Sequence, residues 1–438
     1  MKLSKYVKII ENTDDMVLYN SVNQAIIELP KEAVENNEIV AELDEESVVA
    51  LRDSLFLSDT DPDVVSSLPE YLINKDKLFI SIELNLSCNL RCPYCYQAGT
   101  HNGKVVSDDA LEALSNYIIK VHEISPFTDL FVKILGGEPT LVWNKFIKIY
   151  EILLRFCKTK GIKFHVLVDT NCTLISGLLT LKDYDSLLFT VPLSYKECHD
   201  KVRFDAKGLG TYDLIVSNLN IIHEKKPDTK IVIRYNVDGD NRNYFKSFLD
   251  DLRAKLSFKP LISVNYTAEL NGAQDYKNSM TYLDFVEWCS SQAIDDLVSA
   301  EMPVTISPLI SIEECQFRSK YSLKMFSDGT VGSCAMSFFD KDKLSIQELL
   351  QFAYAQNPFF LRKSKQTILS DEKCLGCNDI FLCGGTNKLP CIKALNPHLC
   401  GDRVFNVDLE AFIKKYLSYV REGKNELFVV FENGETYR

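Results

Sequence analysis

The sequence predicts an α/β protein on a parallel sheet, open or curled into a partial (β/α)6 barrel. A small α+β block precedes it and a cysteine-rich segment follows. Two observations carry this reading. Six β-prone runs between residues 78 and 266 alternate with longer amphipathic stretches, the pattern of successive βα units. Beyond about residue 310 the pattern turns short and irregular, and seven of the fourteen cysteines fall between 315 and 400. A chain of 438 residues has room for roughly three domains.

In chain order, residues 6–11, 16–20 and 24–29 alternate as strands, with Asn12 to Asp15 and Asn20 to Asn23 as turns. Apolar positions Val48, Val49, Leu51 and Leu55 predict a helix from about Glu46 to Leu55, and Asp59-Thr60-Asp61-Pro62 predicts a break. The six core strands are expected at 78–84, 130–135, 163–168, 187–191, 230–236 and 261–266. Ser107 predicts the N-cap of a helix over 108–122, with Asp108 and Asp109 in its first turn. A helix over 407–421 presents Leu409, Phe412, Ile413, Tyr416 and Val420, and a last strand at 427–431 runs into an Asn433-Gly434 turn. The expected division is 1–75, 76–305 and 306–438.

Acidic residues exceed basic ones by 61 − 49 = 12, which disfavours phosphate backbones and nucleic acid as partner. No apolar run reaches the roughly 20 residues of a membrane span, and Met1 to Lys5 lead into an alternating segment unlike a signal peptide. The expectation is a cytoplasmic protein with no membrane partner. Disulfides are rare there, so clustered cysteines read as metal ligands or catalysts.

Cys88-Asn-Leu-Arg-Cys92-Pro-Tyr-Cys95 directly follows the first core strand. Three soft thiolates on one tight turn suit three irons of a four-iron cluster, leaving one iron for a small chelating molecule. The alternatives are a zinc knuckle, for which no histidine lies nearer than His101, and three buried structural cysteines. The triplet, with aromatic Tyr94 before its last cysteine, resembles the radical S-adenosylmethionine (SAM) enzymes. Gly136-Gly137-Glu138-Pro139-Thr140, about 40 residues on, resembles that family's SAM-binding segment. Asp169-Thr170-Asn171 resembles a polar loop that turns Asn171 toward SAM. Ser194 to Arg203, with His199-Asp200, resembles a further family segment in which Pro192 and Ser194 take the Ser and Asp positions and the turn is one residue shorter. The resemblance thus implies Tyr94, Gly136, Gly137, Glu138, Pro139, Asn171 and Ser194 as SAM-binding residues. Gly208 to Tyr212 and Arg234-Tyr235-Asn236 also resemble family positions, or are simply a turn and a solvated strand end.

The second cysteine set reads Cys315, Gly329 after thirteen residues, Cys334 after four more, then Cys374-x-x-Cys377, Cys383, Cys391 and Cys400. It resembles the SPASM extension of radical SAM enzymes, although seven residues separate Cys383 from Cys391 where the family pattern has three. The resemblance implies two auxiliary four-iron clusters. Cys374, Cys377, Cys383 and Cys400 would close one, and Cys315, Cys334 and Cys391 would hold the other. Leu309 stands where some members place a fourth ligand, and Cys289 is the nearest upstream cysteine, so one iron is expected open. A zinc ribbon is the alternative, but seven cysteines leave a remainder from four-cysteine sites. Cys157, Cys172, Cys198 and Cys289 read as buried hydrophobes.

Residues 1–75 resemble the winged-helix-like leader-recognition domain of ribosomal peptide maturases, with Tyr19, Ala25, Ile27 and Leu29 for its third strand; a structural cap is the alternative. The resemblance implies an enzyme with three 4Fe-4S clusters and SAM, acting on a precursor peptide with a leader. Flavodoxin or ferredoxin would reduce it. A 5′-deoxyadenosyl radical would take a hydrogen from a peptide residue, with a thioether cross-link from a substrate cysteine as preferred product. Sulfatase-maturase-like oxidation of Cys or Ser to formylglycine is the runner-up. A non-catalytic iron-sulfur or zinc scaffold that binds peptides is the reading from another class.

Overall fold

Three antiparallel strands open the chain where alternation predicts them: β1 (Val7–Glu11), β2 (Asp15–Asn20) and β3 (Ile26–Pro30), in the order β1-β2-β3. The computed structural model describes residues 1–13, 15–72, 76–95, 97, 102–181, 186–267, 276–306, 321–332, 343–351, 372–383, 408–428, 430–432 and 435–437. A small ribbon, β4 (Val34–Glu35) and β5 (Glu38–Ile39), leads to helix α1 (Glu45–Asp53), capped by Asp44 accepting from the Ser47 amide. The predicted break at 59–62 is instead a helix start. A single 3-10 turn, Ser58–Thr60, runs into α2 (Asp61–Leu72). Pro62 sits in the first helical turn, where the missing N–H costs no hydrogen bond.

The core strands follow closely the apolar runs that predict them: β6 (Lys77–Glu83), β7 (Asp129–Leu135), β8 (Lys163–Asp169), β9 (Leu187–Pro192), β10 (Lys230–Val237) and β11 (Leu261–Tyr266). Each lies parallel beside its predecessor. Helices α3 (Asp108–Ile124), α4 (Trp143–Lys160), α5 (Lys196–Val202), α6 (Tyr212–Lys225) and α7 (Phe245–Lys255) lie between the strands, with only a 3-10 turn (Leu178–Thr180) among the described residues between β8 and β9; the parallel βα series is the one expected of a partial (β/α)6 barrel. Ser107 caps α3 by accepting from the Ala110 amide, and Leu111, Leu114 and Ile118 are fully buried along it. After β11 come α8 (Tyr282–Trp288), one π turn at Cys289–Ala293, and α9 (Ile294–Ser299).

The sheet runs past the six expected strands. Short β12 (Leu323–Met325) pairs parallel with β6, then β13 (Thr330–Gly332) and β14 (Leu344–Ser345) pair antiparallel. The order is β11-β10-β9-β8-β7-β6-β12-β13-β14. Buried Lys324 on β12 lies 3.9 Å from buried Glu83 on β6, and Ser327 donates to the same carboxylate. Helix α10 (Ile346–Gln351) follows β14.

The chain forms two compact units. The described residues of one are those up to 72, 372–383 and 408–419; those of the other lie between 76 and 351 and from 420 onward. In the first unit, α11 (Glu372–Leu375) and α12 (Ile380–Cys383) share a core with the N-terminal strands: Ile380 and Phe381 pack with Tyr6, Val22 and Val64. Helix α13 (Leu409–Arg421) buries Phe412, Ile413 and Leu417, whereas Val420, expected on that face, is exposed. The last hairpin, β15 (Val430–Glu432) with β16 (Glu435–Tyr437), begins three residues after the predicted strand start; the expected 433–434 turn lies outside the described residues. Among the described residues no helix is long and apolar enough to cross a membrane.

Candidate functional site

Each implicated residue of the core lies in a loop leaving the carboxyl end of a parallel strand, where open α/β sheets gather their ligands. Cys88, Cys92 and Cys95 follow β6; Gly136 to Pro139 follow β7; Asn171 follows β8; Ser194 follows β9.

The cysteine turn is shaped by its own backbone and by β8. The Leu90 amide donates to Cys88 Sγ at 3.4 Å, and the Cys95 amide to the Cys92 carbonyl at 3.2 Å. Arg91 Nη1 donates to the Cys88 and Leu90 carbonyls, each at 2.8 Å. Asn171 Nδ2 donates to Asn89 Oδ1 at 2.8 Å and lies 3.9 Å from Cys88 Sγ. Burial pushes the Cys88 thiol up to about 11, against the Leu90 amide, which favours the thiolate. A thiol held up in this way is ionised by coordination, since a bound metal takes the thiolate outright. Among the described residues no three of His, Cys, Asp and Glu close on one metal-ion position. A four-iron cluster takes each thiolate on a different iron. The donor set, with amides aimed at sulfur, fits that group.

Tyr94, within the turn, accepts a hydrogen bond from Arg203 Nη1 at 2.8 Å. Its ring meets Tyr276 edge-on at 5.7 Å, and Tyr276 donates to Asp238 at 2.6 Å. Burial holds the Tyr94 phenol up at about 12, so it stays protonated.

The glycine pair is required by packing against this turn. The Gly137 amide donates to the Asn85 carbonyl at 3.0 Å and the Glu138 amide to the Ser87 carbonyl at 2.7 Å. Gly136 has φ +149°, and a Cβ there would stand 2.5 Å from the Asn85 carbonyl oxygen; one on Gly137 would collide with the Ser87 carbonyl. Pro139, buried, opens a 3-10 turn.

Glu138 is buried and its carboxylate faces four donors: the Thr140 amide at 3.1 Å, the Thr140 and Thr170 hydroxyls at 2.7 Å each, and the Asn171 amide at 2.7 Å. Burial raises its pKa despite them. This side chain therefore ties the end of β7 to the loop after β8 and so sets Asn171. By contrast, the Ser194 hydroxyl makes no hydrogen bond among the described residues.

Three charged residues line one face of these strand ends; the sequence points to Asp169 and Arg234 but not to Lys133. Lys133 Nζ lies 3.0 Å from Asp169 Oδ2, and Arg234 Nη2 lies 3.7 Å from Asp169 Oδ1. Burial opposes ionisation of Asp169, but the two cations outweigh it and its pKa falls below the ordinary carboxylate range. The available signal is Lys133 inside Leu-Phe-Val-Lys-Ile-Leu, a charge in a run otherwise built for burial.

Of the second set, Cys374 lies on α11, Cys377 in the turn and Cys383 at the end of α12. The Asp379 amide donates to Cys377 Sγ at 3.4 Å, repeating the Leu90–Cys88 geometry. Cys315, Cys334, Cys391, Cys400 and Leu309 lie outside the described residues. Cys157, Cys172 and Cys289 are buried as expected, but Cys198 is only half-buried, on short helix α5.

Residues 82–252 match the Radical SAM superfamily. The chain carries a radical SAM domain. A domain of this kind works with SAM and a 4Fe-4S cluster, and its matched span contains every core site residue given above. The chain is 26% identical over 359 residues to the cysteine-type anaerobic sulfatase-maturating enzyme of Clostridium novyi (strain NT), which covers 76% of this chain and 93% of that protein. In fold it is similar to native anSMEcpe with bound AdoMet and the Cp18Cys peptide, at TM-score 0.56 and 19% identity, over 80% of this chain and 99% of that one. It is also similar to SuiB of Streptococcus suis, at TM-score 0.50 and 17% identity, over 88% and 95%.

Proposed function

We propose that this protein is a radical SAM maturase of a ribosomally made precursor peptide, with a thioether cross-link from a substrate cysteine as its product. The observation that carries the reading is the convergence of four successive strand ends on the Cys88 turn. When bound there, the cluster with SAM supplies the 5′-deoxyadenosyl radical that takes a hydrogen atom from the peptide. The chain's own residues do the positioning. Glu138 holds the loops together, Asn171 fixes the turn beside Cys88, and Ser194 offers a free hydroxyl to SAM. Lys133 and Arg234 present positive charge at the sheet face.

Two features support a peptide substrate. The N-terminal sheet leaves β1 and β3 each paired on one side only among the described residues, and an open edge is what an extended peptide pairs with. The similar enzyme of C. novyi is a sulfatase-maturating enzyme by name, and anSMEcpe binds the Cp18Cys peptide. Two auxiliary clusters on the SPASM cysteines, a flavodoxin or ferredoxin as reductant and a cytoplasmic location belong to the same reading.

The sulfatase-maturating relative favours a second reading, oxidation of Cys or Ser to formylglycine. Mass spectrometry of a cysteine-containing precursor separates the two. A thioether keeps the sulfur and loses one hydrogen from carbon and one from the thiol. Formylglycine made from cysteine loses the sulfur. Retention of sulfur with loss of the hydrogens supports the thioether; loss of sulfur overturns it.

A further inference from the structure

One face of the parallel sheet is half-open and carries charge. Along β7, β8 and β10 alternate residues are buried: Val132 and Ile134, Val166 and Val168, Ile233 and Tyr235. The residues between them point to the other face. Lys133, Leu167, Asp169 and Arg234 are half-buried there. Parallel sheets are ordinarily covered on both faces, so a half-open face is room for a ligand. Lys133 and Arg234 stand three strands apart in the order β10-β9-β8-β7, yet both reach Asp169 on β8. Their side chains keep 35% and 29% exposure.

The ion pairs leave binding capacity over. Two cations share one carboxylate, so with Asp169 ionised the group carries one surplus positive charge. At 3.7 Å, Arg234 Nη2 is too far from Asp169 Oδ1 for a hydrogen bond. Arg234 Nε is buried and has no hydrogen-bond partner among the described residues. A guanidinium with free N–H groups beside an ammonium matches a carboxylate, which accepts from both. The three residues stand on the strands themselves, whereas the residues implicated in SAM binding stand in the loops beyond the strand ends.

We propose that Lys133 and Arg234 are specificity-determining residues that receive a carboxylate of the substrate peptide near the residue that loses its hydrogen. The inference deepens the proposed function and rests on it. The carboxylate is an acidic side chain or the free end of a peptide, and the two give the cations the same chemistry.

The test uses full-length, anaerobically reconstituted protein with SAM, and equilibrium dialysis of labelled peptides that contain one cysteine. Three peptides have both ends blocked and carry Glu, Gln or Lys beside the cysteine. A fourth carries Gln and a free C-terminal carboxylate. The Glu peptide binds wild type about tenfold more tightly than the Gln peptide, the factor expected of one charge-assisted hydrogen bond, and the Lys peptide binds more weakly still. The Glu-to-Gln ratio falls toward one in Lys133→Met and in Arg234→Met and is kept in Lys133→Arg. The ratio is read within each variant, so a fraction of unfolded protein cancels from it. If the fourth peptide alone gains affinity, and loses the gain in the same variants, the proposal holds with the chain end as the source. Equal affinity of wild type for all four peptides, or a preference that survives in both methionine variants, overturns it. Weaker SAM binding in these variants with an unchanged peptide ratio also overturns it, because the cations then serve the carboxylate of SAM. Reduced wild type that releases no 5′-deoxyadenosine from SAM removes the proposed function and the inference with it. Release of 5′-deoxyadenosine with no discrimination among the peptides removes the inference alone.

Discussion

Arg203 donates to the Tyr94 hydroxyl at 2.8 Å, which ties the residue closing helix α5 to the turn between Cys92 and Cys95. Arg203 is itself buried, and its Nε has no hydrogen-bond partner among the described residues. The Tyr94 bond thus helps hold a guanidinium beside the cysteine turn. Tyr94→Phe deletes the acceptor and leaves buried charge less satisfied, at a cost of about 1–3 kcal/mol. Urea unfolding of the reconstituted protein reads that loss directly; an unchanged midpoint would mean that solvent replaces the phenol.

Gly137→Ala sets a Cβ against the Ser87 carbonyl, a backbone atom that cannot rotate away. The cysteine turn has to shift, at about 1–3 kcal/mol as for other overpacked sites. Iron content after anaerobic reconstitution falls, because the displaced turn carries the proposed ligands. Full iron loading with normal SAM cleavage would show that the turn yields at no cost.

Glu138→Gln replaces an oxygen that accepts from Thr140, Thr170 or Asn171 with an NH2 group that can only donate. The loss is about 1–3 kcal/mol of stability with weaker SAM binding as a consequence. Ser194→Ala gives the opposite pattern, since its hydroxyl has no protein partner to lose. Stability is kept and SAM affinity drops. Equilibrium SAM binding beside urea unfolding separates the two; identical profiles would contradict the division between structural carboxylate and ligand-facing hydroxyl.

Much of the core was legible because parallel strands buried on both faces read as apolar runs between amphipathic helices. The triplet at Cys88 was legible because its spacing is local. Three things were not. Strand β12 is only Leu323–Met325, too short for any periodicity, and its place beside β6 depends on Lys324 meeting Glu83 across more than 200 residues. Pro62 looked like a break because proline stops helices inside but is tolerated in their first turn. The part played by Glu138 was hidden because a glutamate after two glycines looks the same in sequence whether it faces a ligand or, as here, Thr140, Thr170 and Asn171.

His199 gives a pH dependence with a definite sign. It is fully buried and its Nε2 pairs with the Thr211 hydroxyl at 3.2 Å. Burial, aided by Arg203 and Lys196, holds its pKa well below the ordinary 6.5. The unfolded chain then takes up a proton below about pH 6.5 that the folded chain refuses. Its stabilising effect is present above that pH and is lost as the pH falls, by up to about 1.4 kcal/mol per unit. Unfolding of wild type and His199→Gln at pH 7 and 5.5 checks this. The variant should lose less on acidification; equal losses would assign the dependence to other groups.

On the proposed function, Cys88, Cys92 and Cys95 hold the cluster at which SAM is cleaved. The most direct measurement is 5′-deoxyadenosine release by anaerobically reconstituted, reduced protein given SAM, for wild type and for a triple alanine variant of these cysteines. Wild type should release it and the variant should not, with iron absorbance from the remaining cysteines persisting. Release at the wild-type rate by the triple variant would contradict it.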